Sequence, residues 1–339
     1  MSKIRLTTLT PIHISSGVEF ELNYNMLKDE NFIYLYDEFK IAEFFIANNI
    51  EIASNLDTLK QNIFKYKNEI IASDLHFRKI ENSFDITKPL LSQVSSANKP
   101  IISGSSIKGA IKTAYINEMV ENGIFDNEID KLQEYDDKIV DADYSKKRDL
   151  QKQKNKLLMD INKKITDRTK SIFKYIKISD TLDEFDTKVY KTINIKKEKS
   201  HQYNRSQKVE QIANFVESIQ ERQSNNINIA INDSFFDSLG NICTSFYGEL
   251  YKKDFEFYFA KKEFLKNVEL SNKKFLLNIG RFGGAELKSI EEIRSLKKTG
   301  ANVDWETSAR TFGLERKGTL PYFENELSPF GWVLCEVLK

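Results

Sequence analysis

Strand-forming segments lie at both ends of this chain, and helical, charged segments lie between them. Residues 4–10 are rich in β-branched side chains and largely alternate, which predicts a first strand. Residues 331–338 read Gly-Trp-Val-Leu-Cys-Glu-Val-Leu and predict a buried final strand. Further strands are predicted at 23–27, 31–36, 226–231 and 275–279, and helices at 41–48 and 56–71, whereas the aromatic segment 255–265 is compatible with either. This order favours an α+β fold over a doubly wound parallel sheet.

The length and the cysteine count narrow the class of protein. A chain of 339 residues corresponds to about two domains. Cys243 and Cys335 are the only cysteines, too few for a disulfide scaffold or a four-thiolate zinc site. No apolar run approaches the roughly 20 residues that span a bilayer, and the first residues lack the apolar core of a signal peptide. We therefore expect a cytoplasmic protein with no membrane partner.

A formal net charge of +1 hides strong charge segregation in the middle of the chain. Residues 118–143 carry ten acids and two bases, whereas residues 145–177 carry twelve bases and three acids. The simplest interpretation is a solvated helical insertion. Two alternatives stay open. Either the basic stretch lies along RNA or an acidic neighbour, or the two stretches neutralise each other as a helical hairpin.

The segment 100–113, PIISGSSIKGAIKT, predicts the start of a helix. Apolar residues from Ile107 onwards share one helical face, Ser105 or Ser106 is the expected N-cap, and Gly123 is the expected end.

Two lysines make this helix start unusual. Lys108 and Lys112 are four residues apart in the first two turns, where the helix dipole disfavours cations. A bound anion would reverse that effect, and serine hydroxyls, Gly104 and free backbone N–H groups are suited to a phosphate. The alternative is a plain capped helix. The spacing of a P-loop is absent.

A second glycine-rich segment follows the strand predicted at 275–279. Residues 277–288 read LNIGRFGGAELK, with three glycines in five positions. Arg281 suits phosphate binding and Phe282 suits base stacking, a combination typical of single-stranded nucleic-acid sites. A strand-to-helix turn in which Gly283 and Gly284 adopt positive φ is the alternative. The segment does not match a Rossmann fingerprint.

The chain offers few candidates for catalysis. His13, His76 and His201 are its only histidines, and they are not spaced as metal ligands. His13 could serve as a general base on a ribose hydroxyl, although a packed strand histidine or a donor to RNA is the commoner role. Asp180 could hold a metal, but a single acid after a strand more often caps a turn.

Five short motifs occur in a fixed order along the chain. Residues 9–17 (LTPIHISSG), 100–113, 178–181 (ISDT), 279–284 (IGRFGG) and 329–333 (PFGWV) carry them. In this order they resemble the motifs of the RAMP superfamily of CRISPR systems. The chain departs from the family pattern at Ser15, where glycine is usual, at Ser103, where proline is usual, and at Lys112, where arginine is usual.

The resemblance carries expectations about the fold. The hairpin at 20–39, the length and the Gly331-Trp332 terminus are most similar to the type III-A subunit at the 3′ end of the guide RNA in the Csm complex. That similarity implies an α+β protein with two ferredoxin-like (RRM-like) RAMP domains. Residues 1–123 together with 173–210 would form the first domain, 124–172 a charged helical insertion, and 211–339 the second domain with the glycine-rich loop.

The resemblance also implies a function. It points to a non-catalytic subunit that binds and caps guide RNA (crRNA), and that is needed for assembly of the interference complex and for maturation of the crRNA 3′ end in antiviral defence. The implied partners are guide RNA, other Csm-complex subunits, especially the RAMP backbone and small subunits, and host nucleases; no cofactor or metal is implied. The residues expected to contact RNA are His13, Ser103, Gly104, Ser105, Ser106, Lys108, Lys112, Arg281, Phe282, Gly283 and Gly284.

Two other functions compete with this one. The first is a metal-independent endoribonuclease that processes CRISPR RNA, with His13 as the base and Lys108 or Lys112 stabilising the developing charge. The second is a terminal RAMP subunit of a type III-B complex.

Overall fold

The fold is described from a computed structural model that covers most of the chain. It describes residues 2–196, 214–231, 233–254, 265, 268–290, 292–293, 309–315 and 327–338. Most of the ambiguous segment 255–265 lies outside these residues.

Strands and helices alternate irregularly along the described chain. The strands are β1 (Ser2–Thr8), β2 (Ser15–Phe20), β3 (Met26–Lys28), β4 (Phe32–Leu35), β5 (Arg78–Glu81), β6 (Leu90–Gln93), β7 (Ser95–Ser96), β8 (Lys99–Pro100), β9 (Lys177–Ile178), β10 (Thr187–Lys196), β11 (Phe215–Ile219), β12 (Ser224–Ala230), β13 (Lys274–Asn278), β14 (Ala309–Leu314), β15 (Leu327–Pro329) and β16 (Trp332–Leu338). The helices are α1 (Glu38–Ala47), α2 (Leu56–Lys65), α3 (Lys67–Ala72), α4 (Gly104–Glu121), α5 (Asp126–Asp141), α6 (Tyr144–Phe173) and α7 (Asp233–Asp254). The strands predicted near both ends of the chain are confirmed, with small shifts at their boundaries.

One of the sheets has a ferredoxin-like topology. Among the described residues it has five strands in the order β13-β16-β1-β12-β9, with each neighbouring pair antiparallel. In chain order, β1, α4, β9, β12, α7 and β16 form a β-α-β-β-α-β unit, and β13 is added outside β16. The α+β class and the ferredoxin-like arrangement are therefore confirmed.

This sheet brings together the two ends of the chain. Ile4 of β1 pairs with Ile227 of β12 on one side and with Val337 of β16 on the other. α4 and α7 cover the sheet, and the Tyr247 hydroxyl donates to the Ala110 carbonyl over 3.1 Å. The core beneath them is continuous, because the apolar faces of both helices meet the same strands.

A larger sheet, with nine strands in the part of the chain that the structure describes, lies beside the first. Its main path is β2-β6-β11-β10-β5-β4-β3, and β14 joins β10 and β15. Strands from before and after residue 210 contribute to both sheets. The ranges predicted as two domains thus share their sheets, and the proposed boundary does not separate one sheet from the other.

The helices α1 to α3 form a smaller packed layer on the strand pair β3 and β4. Asp37 caps α1 by accepting from the Phe39 N–H, and Asn55 caps α2 by accepting from the Thr58 N–H. Tyr66 interrupts the helix predicted at 56–71, so that α2 and α3 are separate.

The acidic and basic stretches form a helical hairpin of α5 and α6. Lys154 and Lys164 of α6 pair with Asp136 and Glu128 of α5. Between the helices lies an apolar seam that includes Ile129, Leu132, Leu158, Ile161 and Ile165. The hairpin, one of the alternatives that the charge pattern left open, is the arrangement present in the structure. None of the helices in the described part of the chain is long and apolar enough to cross a membrane.

We expect the hairpin to depend on its seam. Ile161 is 1% exposed, whereas Met159, two residues away on the same helix, is 72% exposed. Ile161→Ala should destabilise the packed hairpin by about 2–5 kcal/mol, because it leaves a cavity. Met159→Ala, the matched control, should change stability by no more than about 0.5 kcal/mol.

Limited proteolysis of the protein without RNA measures this difference. We expect new cleavage within 126–173 in Ile161→Ala and none in Met159→Ala. Equal protection of both variants would show that the seam does not hold the hairpin.

Candidate nucleic-acid interface

Three of the sequence motifs meet at one groove. The groove has a volume of about 470 Å³ and lies between the segment after β1, one side of α4 and the glycine-rich loop. The residues that line it are Ile14, Ser15, Ser106, Gly109, Ala110, Thr113, Gly280, Arg281 and Lys288. These lining residues include two cations and three hydroxyl groups but no carboxylate. Such a surface favours an anionic ligand.

The glycine-rich loop is bound to the chain that leaves β1. The Arg281 N–H donates to the His13 carbonyl over 2.7 Å. Gly280 has φ +76°, and a Cβ there would lie 2.4 Å from the same carbonyl oxygen. Only glycine therefore fits this position, for both backbone and steric reasons.

The next two glycines are required for different reasons. Gly284 has φ +88°, as the sequence predicted. A Cβ on Gly283 would instead lie 2.2 Å from Oδ1 of Asn278, a buried residue whose Nδ2 donates to the Phe330 carbonyl over 3.0 Å. The positive φ expected at Gly283 is therefore not the constraint there. The constraint is the close approach of the Asn278 side chain.

Phe282 is partly buried and packs against the protein. Its ring centroid lies 5.5 Å from that of His13 and 5.3 Å from that of Phe330. The Arg281 guanidinium lies 5.5 Å from the Phe282 ring centroid. We expected this ring to stack on a base; in the structure its contacts with His13 and Phe330 anchor the loop. The backbone of Phe282 has φ +71°.

His13 is fully buried. Its Nδ1 lies 2.7 Å from the Glu217 carbonyl, and because a carbonyl can only accept, Nδ1 carries the proton. Burial lowers the pKa of His13 to about 4; the bond to Glu217 opposes this shift, and the charge of Arg281 adds to it. At neutral pH the ring is uncharged and enclosed. This geometry does not suit a general base on a ribose hydroxyl.

A buried ion pair fixes the side chain of Glu217, the residue of β11 whose backbone carbonyl accepts from His13. Arg78 of β5 donates to both carboxylate oxygens of Glu217 of β11, over 2.7 and 2.8 Å. The same carboxylate accepts from the Gln93 N–H over 3.0 Å and from the Thr187 hydroxyl over 2.9 Å. Sequence patterns did not indicate this network, because its members lie far apart along the chain.

The start of α4 already contacts a carboxylate of the protein. Asp180 Oδ1 accepts from the Gly104 N–H over 2.8 Å, so Asp180 has a capping role. A Cβ on Gly104 would lie 2.3 Å from the Ile178 carbonyl oxygen, which explains the glycine. The N-cap is Ser103 rather than Ser105 or Ser106, and its hydroxyl lies 2.9 Å from that of Ser106.

Lys108 and Lys112 do not face the groove. The Lys108 ammonium donates to the Ile176 carbonyl over 2.6 Å, at the end of the hairpin. Successive helical residues are rotated by about 100°, so Lys108 lies on the side of α4 away from Ser106 and Thr113, and Lys112 lies between the two sides; neither lysine is among the lining residues. A backbone carbonyl thus accounts for Lys108 without any phosphate.

Lys288 is the lysine that lines the groove with Arg281. Its ammonium donates to the Asn278 carbonyl over 2.6 Å, and the residue as a whole is exposed. Desolvation of the ammonium lowers the pKa of Lys288 to about 7. Lys288 ends the segment 277–288 but was not among the predicted RNA contacts, because one lysine among 51 basic residues carries no distinguishing signal. The described residues contain no cluster of His, Cys, Asp and Glu that could hold a metal ion.

The arrangement can now be compared with known proteins. The sequence profile of the RAMP superfamily matches residues 5–286. The protein belongs to the RAMP superfamily. In this RAMP protein the groove residues up to Arg281 lie within the matched range, and Lys288 lies just beyond it.

One relative and two solved structures are similar to this RAMP protein. The CRISPR system Cms protein Csm5 of Methanocaldococcus jannaschii is 28% identical over 308 residues, which cover 82% of this chain and 68% of the relative. A chain in the cryo-EM structure of a Csm-crRNA-target RNA ternary complex of a type III-A CRISPR-Cas system has a TM-score of 0.66 and 18% identity, with 99% of this chain and 100% of that chain covered. The crystal structure of T. onnurineus Csm5 has a TM-score of 0.59 and 16% identity, with 98% and 100% covered. The two structural likenesses establish a shared fold.

In the glycine-rich loop, removal of the Arg281 charge should cost less stability than the addition of side-chain atoms at Gly280 or Gly283. We expect Gly280→Ala and Gly283→Val to lower the free energy of unfolding by about 1–3 kcal/mol each, because their new atoms meet the His13 carbonyl and Asn278. Arg281→Ala, at an exposed side chain in the same loop, should change it by no more than about 0.5 kcal/mol. Urea denaturation provides the comparison. Wild-type stability in both glycine variants would show that the loop adapts to side chains.

His13 should make the fold sensitive to acid. Because its pKa is about 4 when folded and about 6.5 when unfolded, protonation favours the unfolded chain. The contribution of the uncharged His13 ring to the free energy of unfolding is complete above pH 6.5. It is lost as the pH falls towards 4, by up to about 3 kcal/mol.

His13→Gln isolates this contribution from other titrating groups. The stability difference between wild type and variant, measured by urea denaturation at several pH values, should narrow between pH 7 and pH 4. A difference that is constant over this range would contradict the assignment.

Proposed function

We propose that this RAMP protein is a non-catalytic, guide-RNA-binding subunit of a type III CRISPR Csm effector complex. Membership of the RAMP superfamily supports a place among such proteins. The relative named Csm5 and the fold shared with a chain of a Csm-crRNA-target RNA complex support the Csm assignment. We further propose that it belongs to a type III-A complex and that it caps the guide RNA at its 3′ end.

The observation that carries the RNA-binding proposal is the chemistry of the groove. Arg281 and Lys288 supply positive charge, and Ser15, Ser106 and Thr113 supply hydroxyl groups. Gly109, where a Cβ would meet no atom within 4 Å, leaves room for a backbone to approach. Arginine, lysine, hydroxyls and exposed backbone are the groups that contact phosphates in nucleic-acid complexes.

The predicted RNA-binding residues take different parts in this proposal. Ser106 and Arg281 line the groove and would contact RNA directly. Gly283, Gly284, Phe282 and His13 hold the loop in position. Ser103, Gly104 and Ser105 border the same end of α4 and would contact RNA through the backbone.

The proposal assigns no catalytic step to the chain. The enclosed position and low pKa of His13 support this, because the base of the competing endoribonuclease function has no access to a substrate. Incubation of the purified protein with CRISPR precursor RNA in EDTA tests it directly. Cleavage that persists in EDTA and disappears in a His13 variant of normal stability would overturn the non-catalytic assignment.

The proposed partners are the guide RNA and the other Csm subunits. The RAMP backbone and small subunits would lie next to this chain in the assembled complex, and host nucleases would complete the 3′ end of the guide. Co-purification of the tagged chain, with sequencing of bound RNA and identification of bound proteins, tests both parts. Recovery of the chain with neither guide RNA nor Csm subunits would contradict the proposal.

A variant of Arg281 and a variant of the two lysines distinguish RNA binding in the groove from RNA binding at the start of α4. Arg281→Ala should weaken binding of single-stranded RNA to a similar extent for different sequences, and should reduce the slope of log affinity against log salt by about 0.7, because one phosphate contact is lost. The double variant Lys108→Ala with Lys112→Ala should leave both quantities unchanged, since neither side chain lines the groove.

Fluorescence titrations at several salt concentrations measure both variants. If the lysine double variant weakens RNA binding and Arg281→Ala does not, RNA binds at the helix start that the sequence indicated. The groove is then not the interface.

A further inference from the structure

The groove contains one cation that the RNA-binding motifs do not include. Lys288 follows the glycine-rich loop, and its ammonium lies beside the last residue of β13, where it donates to the Asn278 carbonyl over 2.6 Å. An ammonium has three N–H donors, and this bond uses one of them. The remaining donors are available to a ligand.

The surroundings of Lys288 favour an anion over other ligands. Arg281 is the other charged residue among the described residues that line the groove, and it is also a cation. Arg281 and Lys288 thus give the groove two positive charges and no negative one among its lining residues, a balance that an anion would neutralise. The opposite wall presents the hydroxyl of Ser106, which can donate to the same anion.

The wall of α4 leaves space in front of Lys288. Gly109 lines the groove, and a Cβ built on it would meet no atom within 4 Å. A phosphate on a nucleic-acid backbone needs such an open wall, because its neighbouring riboses lie on either side.

We propose that Lys288 is a phosphate ligand of the groove, holding one phosphate of the bound RNA between itself and Arg281. The Asn278 carbonyl orients the ammonium, and the RNA phosphate accepts a second of its N–H groups. The inference rests on the proposed function, since it takes RNA as the occupant of the groove.

The same arrangement predicts that RNA binding involves a proton. The pKa of Lys288 is lowered to about 7 by desolvation, and a phosphate beside the ammonium would raise it again. The charged group that faces it from the loop is Arg281; the groove residues of α4 and of the segment after β1 carry no charge. RNA binding would then take up a proton near neutral pH.

Three variants of the full-length chain test the proposal with a fluorescent single-stranded RNA. Lys288→Met should weaken binding about tenfold, since a charged hydrogen bond is lost, whereas Lys288→Arg should retain most of the affinity. Gly109→Leu should weaken binding by filling the groove, while its helix stays as stable as wild type. Thermal unfolding of each variant confirms that the fold is intact.

The pH dependence of RNA affinity distinguishes a Lys288 that contacts the phosphate from a Lys288 that only supports the fold. Between pH 7 and pH 8, wild-type affinity should fall about fivefold as Lys288 loses its proton, and the affinity of Lys288→Arg should stay nearly constant because arginine remains charged. A structural lysine would not produce this difference.

The outcomes distinguish this inference from the proposed function. If Arg281→Ala and Gly109→Leu weaken RNA binding but Lys288→Met does not, the phosphate role of Lys288 is wrong and the RNA-binding groove stands. If none of the three weakens binding, RNA does not occupy the groove and the inference fails with its premise. If the wild-type chain binds no RNA, the proposed function itself is wrong.

Discussion

The extended segment between β1 and β2 holds the rest of the structure together. The Leu9 N–H donates to the Trp332 carbonyl over 2.9 Å, and Ile12 and Ile219 exchange hydrogen bonds of 3.0 and 2.9 Å. Its carbonyls are also used, because Pro11 accepts from the Gly331 N–H over 2.9 Å and His13 accepts from the Arg281 N–H over 2.7 Å. One short stretch of backbone thus connects the terminal strand, the nine-stranded sheet and the glycine-rich loop. Buried backbone groups must be paired, so these bonds fix where the groove lies.

Buried charges join the two sheets at another point. Asp254 at the end of α7 accepts from Arg310 of β14 and, over 2.7 Å, from the indole N–H of Trp332 of β16. β14 belongs to the nine-stranded sheet and β16 to the five-stranded sheet, so one carboxylate links both. A buried pair contributes little net stability but is costly to break from one side. The pair of Arg78 and Glu217 lies within the nine-stranded sheet, so among these buried ion pairs it is Asp254 and Arg310 that make the relative position of the two sheets specific.

Local sequence patterns predicted the elements, but long-range contacts decided what the residues do. The strands at both ends and the glycines of the loop follow from alternation and turn chemistry. The partner of Lys108 is a carbonyl 68 residues away, and the carboxylate at Gly104 comes from a residue 76 positions further on. No local pattern contains that information. The two lysines therefore looked like a phosphate site, and Phe282, whose ring packs between His13 and Phe330, looked like a base-stacking residue.

The chemistry of the groove also bears on selectivity. Its lining offers charge, hydroxyls and glycine backbone, and contacts of this kind recognise phosphate and sugar without reading bases. The Phe282 ring, which is partly buried, packs against His13 and Phe330. The proposed guide-RNA subunit would have to accept guides of different spacer sequences, and phosphate and sugar contacts suit that proposed role. Selectivity for one end of the guide would then come from the neighbouring subunits and from the length of RNA that they leave exposed, rather than from this groove.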